Sequence, residues 1–331
     1  MGAQCQEGIT TMARKKRRAT RQPRRNPNKP RRVTKKYRRY ERLMQRFIQN
    51  MLKDLQKGMD RILVPQLNFL AENFKAEPDK VEIVPDPIAG TPQVITDADG
   101  DGRALSELIS LVEAQFLGLY SAEFIRSNLN QFFQAMNIQV EEDVTREFAR
   151  QNITVFPVGT EDIINNSIQN SLGKIQDLQR STIGQIRNEV SRGLVQGQRW
   201  ETIAKRISRS MTSKEAKGQS PTAFKKAMNR AKFIARNEVG TALGTINKER
   251  QLASNVRLYI WQTAEDERVR PTHRALDQEI FSWEGTVEVE GTEYKMAVDS
   301  TFSSSGTIPG EPWNCRCVAI PYIPEFEEDE E

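Results

Sequence analysis

An apolar stripe from Ile164 to Leu194 constrains the fold of this chain more than any other feature. Nine aliphatic residues recur in it at steps of three to five positions: Ile164, Ile168, Leu172, Ile175, Leu178, Ile183, Ile186, Val190 and Leu194. This spacing places them on one face of an α-helix, and Thr160 is a suitable N-cap. The stripe therefore predicts a long helical rod that packs against its neighbouring helices, with a helical hairpin as one possible arrangement.

The same periodicity predicts more helices along the chain. It is found in segments 40–59, 105–136, 139–150, 200–207 and 224–246. The first of these carries the apolar residues Tyr40, Leu43, Phe47, Met51, Leu55 and Met59. In the last one, Gly240 and Gly244 would allow another helix to approach closely. The chain is therefore expected to have a mostly helical body.

The pattern changes after residue 254. VRLYIWQ (256–262) alternates as a strand does, TVEVEGTEYKM (286–296) predicts a β-hairpin around Glu290-Gly291, and CRCVAIPYI (315–323) predicts a short last strand. We therefore expect a small α+β module after the helices. The predicted divisions are a disordered basic tail 1–36, a helical region 37–160, long helices 161–253, the module 254–323 and an acidic tail 324–331.

A basic segment precedes the first helix. Between residues 14 and 42 lie sixteen Lys or Arg against one acid, Glu41, a local net of +15 within a chain of net +5, so the remainder carries −10. Such a segment stays disordered and attracts polyanions, double-stranded DNA above all, unless it only aids solubility or grips an acidic protein surface. The residues expected to contact DNA are Arg14, Lys15, Lys16, Arg17, Arg18, Arg21, Arg24, Arg25, Arg31, Arg32, Lys35 and Lys36.

Prolines, glycines and aspartates disfavour regular structure from about residue 77 to 102. The end of this stretch resembles a calcium loop, because four residues fit its positions 1, 3, 5 and 6: Asp97, Asp99, Asp101 and Gly102. Position 12 requires a bidentate carboxylate, but Leu108 stands there and Glu107 falls one residue early. A turn that caps the following helix is therefore preferred to a calcium site.

His273 is the sole histidine of the chain, and Cys315 and Cys317 follow it about forty residues later. The cysteine count of three is odd and predicts reduced thiols. If both thiols project from one side of a strand, they could bind zinc with His273 and Asp266 or Asp277. Buried cysteines beside a histidine that is hydrogen-bonded to a carboxylate are the simpler alternative and the one favoured. A Cys-His hydrolase is disfavoured because no oxyanion hole is recognisable.

The segment around His273 is rich in opposite charges. Asp266, Arg268, Arg270 and Asp277 could form a salt-bridge network that braces the module, or they could be a solvated charged face. Trp261 and Trp313 are expected in the core rather than on a binding surface.

Two stretches together, WQTAEDERVRPTHRALDQ (261–278) and PGEPWNCRC (309–317), resemble the C-terminal module of the phage head morphogenesis family, minor head proteins similar to the F protein of phage Mu. The principal motif positions are Trp261, Asp266, Arg268, Arg270, His273, Leu276, Asp277, Pro309, Gly310, Pro312, Asn314, Cys315, Arg316 and Cys317. Upstream, Gly193, Gly197, Trp200, Ile207, Ala235, Arg236 and Glu238 fit as well. Gln278 departs from the pattern, because the family usually has glycine there.

This resemblance implies a non-enzymatic minor capsid protein that acts in head morphogenesis. Its implied partners are the portal protein, scaffold or major capsid protein, and packaged DNA, and its implied locations are the host cytoplasm during assembly and then the virion head. No cofactor is expected, with zinc as the alternative to test. A phage-delivered effector or hydrolase and a non-specific DNA-binding protein are the other candidate functions. No run of about eighteen apolar residues predicts a membrane span.

Overall fold

A computed structural model of the chain describes residues 33–73, 81–85, 92–96, 101–196, 200–210, 222–289 and 291–324. In these residues, the predicted mostly helical body and small C-terminal sheet module are confirmed. No helix among them is long and apolar enough to cross a membrane. The basic residues from Arg14 to Arg32 and the acidic residues 325–331 lie outside the described residues, so the predictions about both tails stay predictions.

The body consists of long helices. Their bounds are α1 Val33–Asn73, α2 Asp101–Leu119, α3 Ala122–Arg150, α4 Glu161–Val195, α5 Trp200–Ser210 and α6 Ala223–Ala253. The predicted rod is the single 35-residue helix α4, which packs against α3, α5 and α6. Ser121 accepts a hydrogen bond from the backbone N of Phe124 at 3.2 Å and caps α3, so segment 105–136 holds a helix break. The separate helix predicted over 139–150 is instead the end of α3.

Helix α1 buries one face in the core of the body. Its fully or nearly buried residues are Tyr37, Tyr40, Met44, Ile48, Met51, Leu52, Leu55 and Met59. Leu43, which the sequence placed on this face, is 51% exposed. The buried residue one turn after Tyr40 is Met44 instead. Lys35 and Lys36, which the sequence assigned to the basic tail, lie in the first turn of α1.

A strand pair contradicts the prediction that residues 77–102 lack regular structure. Strands β1 (Val81–Pro85) and β2 (Pro92–Thr96) are antiparallel, with Val81 opposite Thr96 and Pro85 opposite Pro92. Both segments are rich in valine and isoleucine, which favour strands. Pro85 and Pro92 take end positions, where proline costs least. Asp97 and Asp99 lie outside the described residues, so the calcium loop is untested, and Asp101 and Gly102 begin α2.

The C-terminal module is built on a three-stranded antiparallel sheet. β3 (Leu258–Gln262) is its central strand, between β4 (Ile280–Ser282) and β7 (Val318–Tyr322). The short helix α7 (Pro271–Ala275) lies between β3 and β4, and β5 (Thr286–Val289) pairs with β6 (Thr292–Lys295) as the predicted hairpin. β7 begins at Val318, so the cysteines precede the last strand and do not belong to it, contrary to the prediction.

The two predicted core tryptophans have different environments. Trp261 is fully buried in the module, together with Tyr259 and Trp283. Trp313 is 63% exposed, so its predicted core position is wrong. It lies in the turn before the cysteines, where the segment passes over the surface of the module.

Gly240 and Gly244 of α6 make a close backbone contact, but its partner is a loop and not a helix. A Cβ atom at Gly244 would overlap the carbonyl oxygen of Pro309, and one at Gly240 would lie 3.0 Å from the carbonyl oxygen of Gly310. Gly310 itself has a φ of +99° and faces the backbone of Gly240. The two glycines therefore allow the segment that leads to Cys315 to lie directly on α6.

Candidate functional site

His273 is presented by the short helix α7. Pro271 occupies the first turn of this helix, where its fixed φ is suitable and its missing N–H costs nothing. The ring of His273 is 3% exposed and meets the ring of Trp261 edge to face, with centroids 5.4 Å apart. The histidine side chain is thus held between a strand of the sheet and the loops that cover it.

Three segments distant in sequence meet at His273. Its Nδ1 lies 3.6 Å from Sγ of Cys315 and 3.4 Å from Sγ of Cys317, while its Nε2 lies 2.8 Å from Oδ2 of Asp299. Nδ1 and the two sulfur atoms all lie within 4.8 Å of one another. All four side chains are buried, and Asp299 has no exposed surface. A compact cluster of two thiols, an imidazole and a carboxylate therefore lies in the module.

The cysteines occupy an extended segment that a tight turn leads into. The backbone N of Cys315 donates to the carbonyl of Pro312 at 2.9 Å, and Asn314 adopts a φ of 57°. Adjacent residues in extended backbone point to opposite sides. Cys315 and Cys317 are two positions apart, so their side chains point to the same side. The prediction that both thiols face one centre is thus fulfilled in geometry, although outside a strand.

The charges of the cluster depend on one another. A hydrogen bond from Cys317 and the proximity of His273 hold the pKa of Cys315 well below its usual range. The same contact with Cys315, together with burial, raises the pKa of Cys317. Burial alone would lower the pKa of His273, but Cys315 and Asp299 raise it overall. These shifts favour a thiolate at Cys315 beside a protonated His273.

A cavity of about 330 Å³ opens beside the cluster, and His273, Cys315 and Cys317 all line it. Its remaining lining is mostly basic: Arg236, Arg268, Arg270 and Arg316 with Ala264, Val269 and Asn314. The guanidinium of Arg270 lies 3.9 Å from Asp299 and donates to the carbonyl of Trp313. A small polar or anionic ligand could enter this cavity and reach the thiols.

The comparisons with known proteins concern this part of the chain. Residues 184–320 match the family model described as Phage Mu protein F like protein. The chain contains a Mu F-like region. The resemblance predicted from the sequence is confirmed for this region, which holds the whole cluster.

A curated protein is also similar to this chain. The chain is 26% identical over 165 residues to an uncharacterized protein of Haemophilus influenzae (strain ATCC 51907 / DSM 11121 / KW20 / Rd). The match covers 50% of this chain but only 30% of that protein. No solved structure matches the chain significantly.

Asp266 of the Mu F-like region does not join the cluster, contrary to the ligand set considered from sequence. It forms a paired salt bridge with Arg316, at 2.5 and 2.7 Å, and a longer one of 3.3 Å with Arg38 of α1. Asp277 accepts a hydrogen bond from the backbone N of Thr263 at 2.8 Å. Both carboxylates are therefore engaged in holding the backbone and the body in place.

Asp266, Arg268, Arg270 and Asp277 do not form a salt-bridge network with one another, which was one of the two alternatives from sequence. Arg268 contacts Asp266 through its backbone N at 3.1 Å, and Arg270 turns to Asp299 and Trp313. The charged partners of these residues are distant in sequence. Inspection of neighbouring charges alone could not identify them.

Other motif positions of the Mu F-like region have packing roles. Leu276 packs against the core of the module, and the backbone N of Asn314 donates to Asn237 of α6 at 3.1 Å. Glu238 of α6 pairs with Lys174 of α4 at 2.5 Å, and Arg236 with Glu41 of α1 at 2.8 Å. These contacts fasten the region to the helical body.

Gln278, where the family usually has glycine, keeps the backbone that glycine would take. Its φ is 71°, and its backbone N donates to the carbonyl of Trp261 at 2.7 Å. The side-chain amide donates to Oε1 of Gln262, also at 2.7 Å. Gln278 therefore adopts a left-handed conformation, which disfavours side chains.

Sequence reasoning missed Asp299 and Arg38. Asp299 is the only acidic residue between Glu293 and Glu311, and the Asp-Ser-Thr sequence allows its carboxylate to bind the backbone N of Thr301 at 3.1 Å. An isolated acid that starts such a turn is a weak but usable signal. No comparable signal marks Arg38 within a segment crowded with basic residues.

Proposed function

We propose that the chain is a minor head protein that binds the portal of its phage, contacts packaged DNA through residues 14–32, and acts without catalysis. The match of residues 184–320 to the Phage Mu protein F like family is the observation that carries the proposal. Head proteins of this kind act by docking, so the surfaces that hold the region to its body and to partners are expected to matter more than a reaction.

The contacts of α1 support a mechanical link between the basic segment and the Mu F-like region. α1 begins directly after Arg32, and its first turns place Arg38 on Asp266 and Glu41 on Arg236. A segment that neutralises phosphates adds affinity wherever its carrier docks. The segment that contacts DNA and the region that docks would then be joined in sequence through α1.

A second candidate function is a thiol hydrolase, which the geometry of Cys315, His273 and Asp299 favours. A thiol near one imidazole nitrogen and a carboxylate on the other is the arrangement that activates a cysteine nucleophile. Two observations oppose it: Cys315 is 6% exposed, and Cys317 lies at 3.4 Å from the same nitrogen. A nucleophile that must share its base with a second thiol is poorly placed for attack.

Co-expression with the portal protein of the same genome tests the docking role. A complex that survives purification, with few copies per portal ring by native mass spectrometry, is the expected result. The portal of an unrelated phage is the matched control and should not retain the chain. No complex at either low or moderate salt, with both proteins folded, would contradict the proposed docking.

A further inference from the structure

We propose that His273, Cys315 and Cys317 bind a single zinc ion, that Asp299 orients the imidazole, and that the fourth coordination position opens into the arginine-lined cavity. The inference rests on the geometry of these side chains and is independent of the proposed role in head assembly. It also replaces Asp266, the ligand considered from sequence, with an open position.

The distances within the cluster match those of a tetrahedral zinc site. Zinc binds sulfur at about 2.3 Å and imidazole nitrogen at about 2.1 Å, which separates the two ligand atoms by roughly 3.6 Å at a tetrahedral angle. The observed separations from Nδ1 of His273 are 3.6 Å to Cys315 and 3.4 Å to Cys317. Both nitrogen–sulfur separations are therefore close to those that a zinc ion would impose, and all three ligand atoms lie within 4.8 Å of one another.

If His273 is neutral, hydrogen bonding accounts poorly for two thiols at one ring nitrogen. When Nε2 of His273 donates its proton to Asp299, Nδ1 presents one in-plane lone pair. That lone pair accepts one S–H, whereas both sulfurs approach it. A cation located between the three atoms satisfies the nitrogen and both thiolates together.

Asp299 has the properties of an outer carboxylate that supports a metal-bound histidine. It is fully buried, and Thr301 holds its Oδ1 through a backbone N at 3.1 Å and a hydroxyl at 2.6 Å. Its Oδ2 receives the imidazole N–H, which fixes the tautomer and directs Nδ1 toward the sulfurs. The backbone N of Cys317 points at Sγ of Cys315 at 3.4 Å, a contact that favours a thiolate there.

The ligand set selects zinc among the abundant divalent ions. Two thiolates and an imidazole suit zinc, whereas magnesium and calcium require oxygen ligands. Two thiolates also cancel the charge of the ion, which removes the penalty of burying them. Because all three ligands line the cavity of about 330 Å³, water can complete the coordination from that side.

Metal analysis of the full chain tests the inference. Protein purified without added metal should contain about one zinc ion per chain, as measured by elemental mass spectrometry. Cys315→Ser, Cys317→Ser and His273→Ala should each remove most of it. Cys5→Ser is the matched control, since Cys5 is the remaining cysteine and should leave the zinc content unchanged.

Cobalt substitution keeps the test valid if those variants fail to fold. The unmutated chain loaded with Co²⁺ should show the intense visible bands of tetrahedral cobalt and the near-ultraviolet bands of thiolate ligation. Asp299→Asn should keep these bands but weaken the affinity by about 10- to 100-fold in competition with a chelator.

Thiol labelling separates zinc binding from the hydrolase alternative. Iodoacetamide should label Cys315 and Cys317 slowly until a chelator removes the metal. A chain without zinc whose cobalt spectrum is that of the octahedral aquo ion would overturn the inference. So would rapid labelling of Cys315 that a chelator does not change, and this result would favour an activated nucleophile instead.

Discussion

Gly244 of α6 lies against the backbone carbonyl of Pro309, so closely that no Cβ atom fits between them. Gly244→Ala should therefore force α6 and the loop apart and destabilise the chain by about 1–3 kcal/mol, the usual cost of overpacking. Unfolding in urea, followed by circular dichroism, would measure it. Gly173→Ala in α4 is the control: no atom lies near that position, and alanine favours a helix. Equal effects of the two changes would refute the contact.

Lys174 and Glu238 form a salt bridge whose acid is 6% exposed, between α4 and α6. Lys174→Ala should destabilise the chain by about 1–3 kcal/mol, because it leaves a buried carboxylate without its charged partner. Arg180→Ala, which removes an ion pair with the exposed Asp177, should change stability by less than about 0.5 kcal/mol. Thermal unfolding of both variants measures the difference. If Lys174→Ala left the stability unchanged, it would contradict a stabilising role for the salt bridge with Glu238.

Asp266 should make the Mu F-like region sensitive to acid. Hydrogen bonds from Arg316 lower its pKa in spite of partial burial, so its contribution is complete above the pKa of the unfolded chain. The contribution is lost as the pH falls through the lower folded pKa. Asp266→Asn should remove this part of the pH dependence and cost about 1 kcal/mol or less at neutral pH, since the side chain is 33% exposed.

The measurement for Asp266 is the free energy of unfolding between pH 3 and pH 7. Asp177→Asn is a suitable control, because this aspartate is exposed and forms only a long pair with Arg180. An unchanged pH profile in Asp266→Asn would show that the pair with Arg316 does not couple protonation to folding.

Deletion of residues 1–32 should abolish sequence-independent binding to double-stranded DNA. A segment that contacts six to ten phosphates loses about 10³- to 10⁵-fold in affinity between 50 and 200 mM salt, and this steep dependence should disappear with the segment. Fluorescence anisotropy with two unrelated duplexes would measure both effects. Tight binding by the shortened chain, or binding that tolerates high salt, would contradict a role for Arg14 to Arg32.

The helices were predictable because their buried residues repeat with the helical period over long distances. Ile164 to Val190 are buried at the expected positions of α4, and periodicity alone located them. The strand pair near Val81 and Val94 was missed because prolines, which dominate local reasoning, stand at strand ends where they do no harm. Leu43 was misplaced because one residue of phase error moves a side chain by about 100° around a helix.

The candidate site was only partly predictable for a different reason. His273, Cys315 and Cys317 are rare residue types, so composition drew attention to them. Asp299 reaches His273 across 26 residues that include a β-hairpin, and no local pattern encodes how that loop folds back. The pair of Asp266 and Arg316 could be predicted only from the strand order, because β3 and β7 are distant in sequence and adjacent in the folded sheet.

The contacts of α1 determine the order in which the chain can fold. Arg38 meets Asp266 across 228 residues, and Glu41 meets Arg236 across 195. A high share of such distant contacts slows folding, because the chain must close large loops before the contacts stabilise it. During synthesis, the apolar face of α1 leaves the ribosome long before α6 and the module can cover it. We therefore expect nascent chains to depend on a chaperone, or on a partner already present, until the last strand has been made.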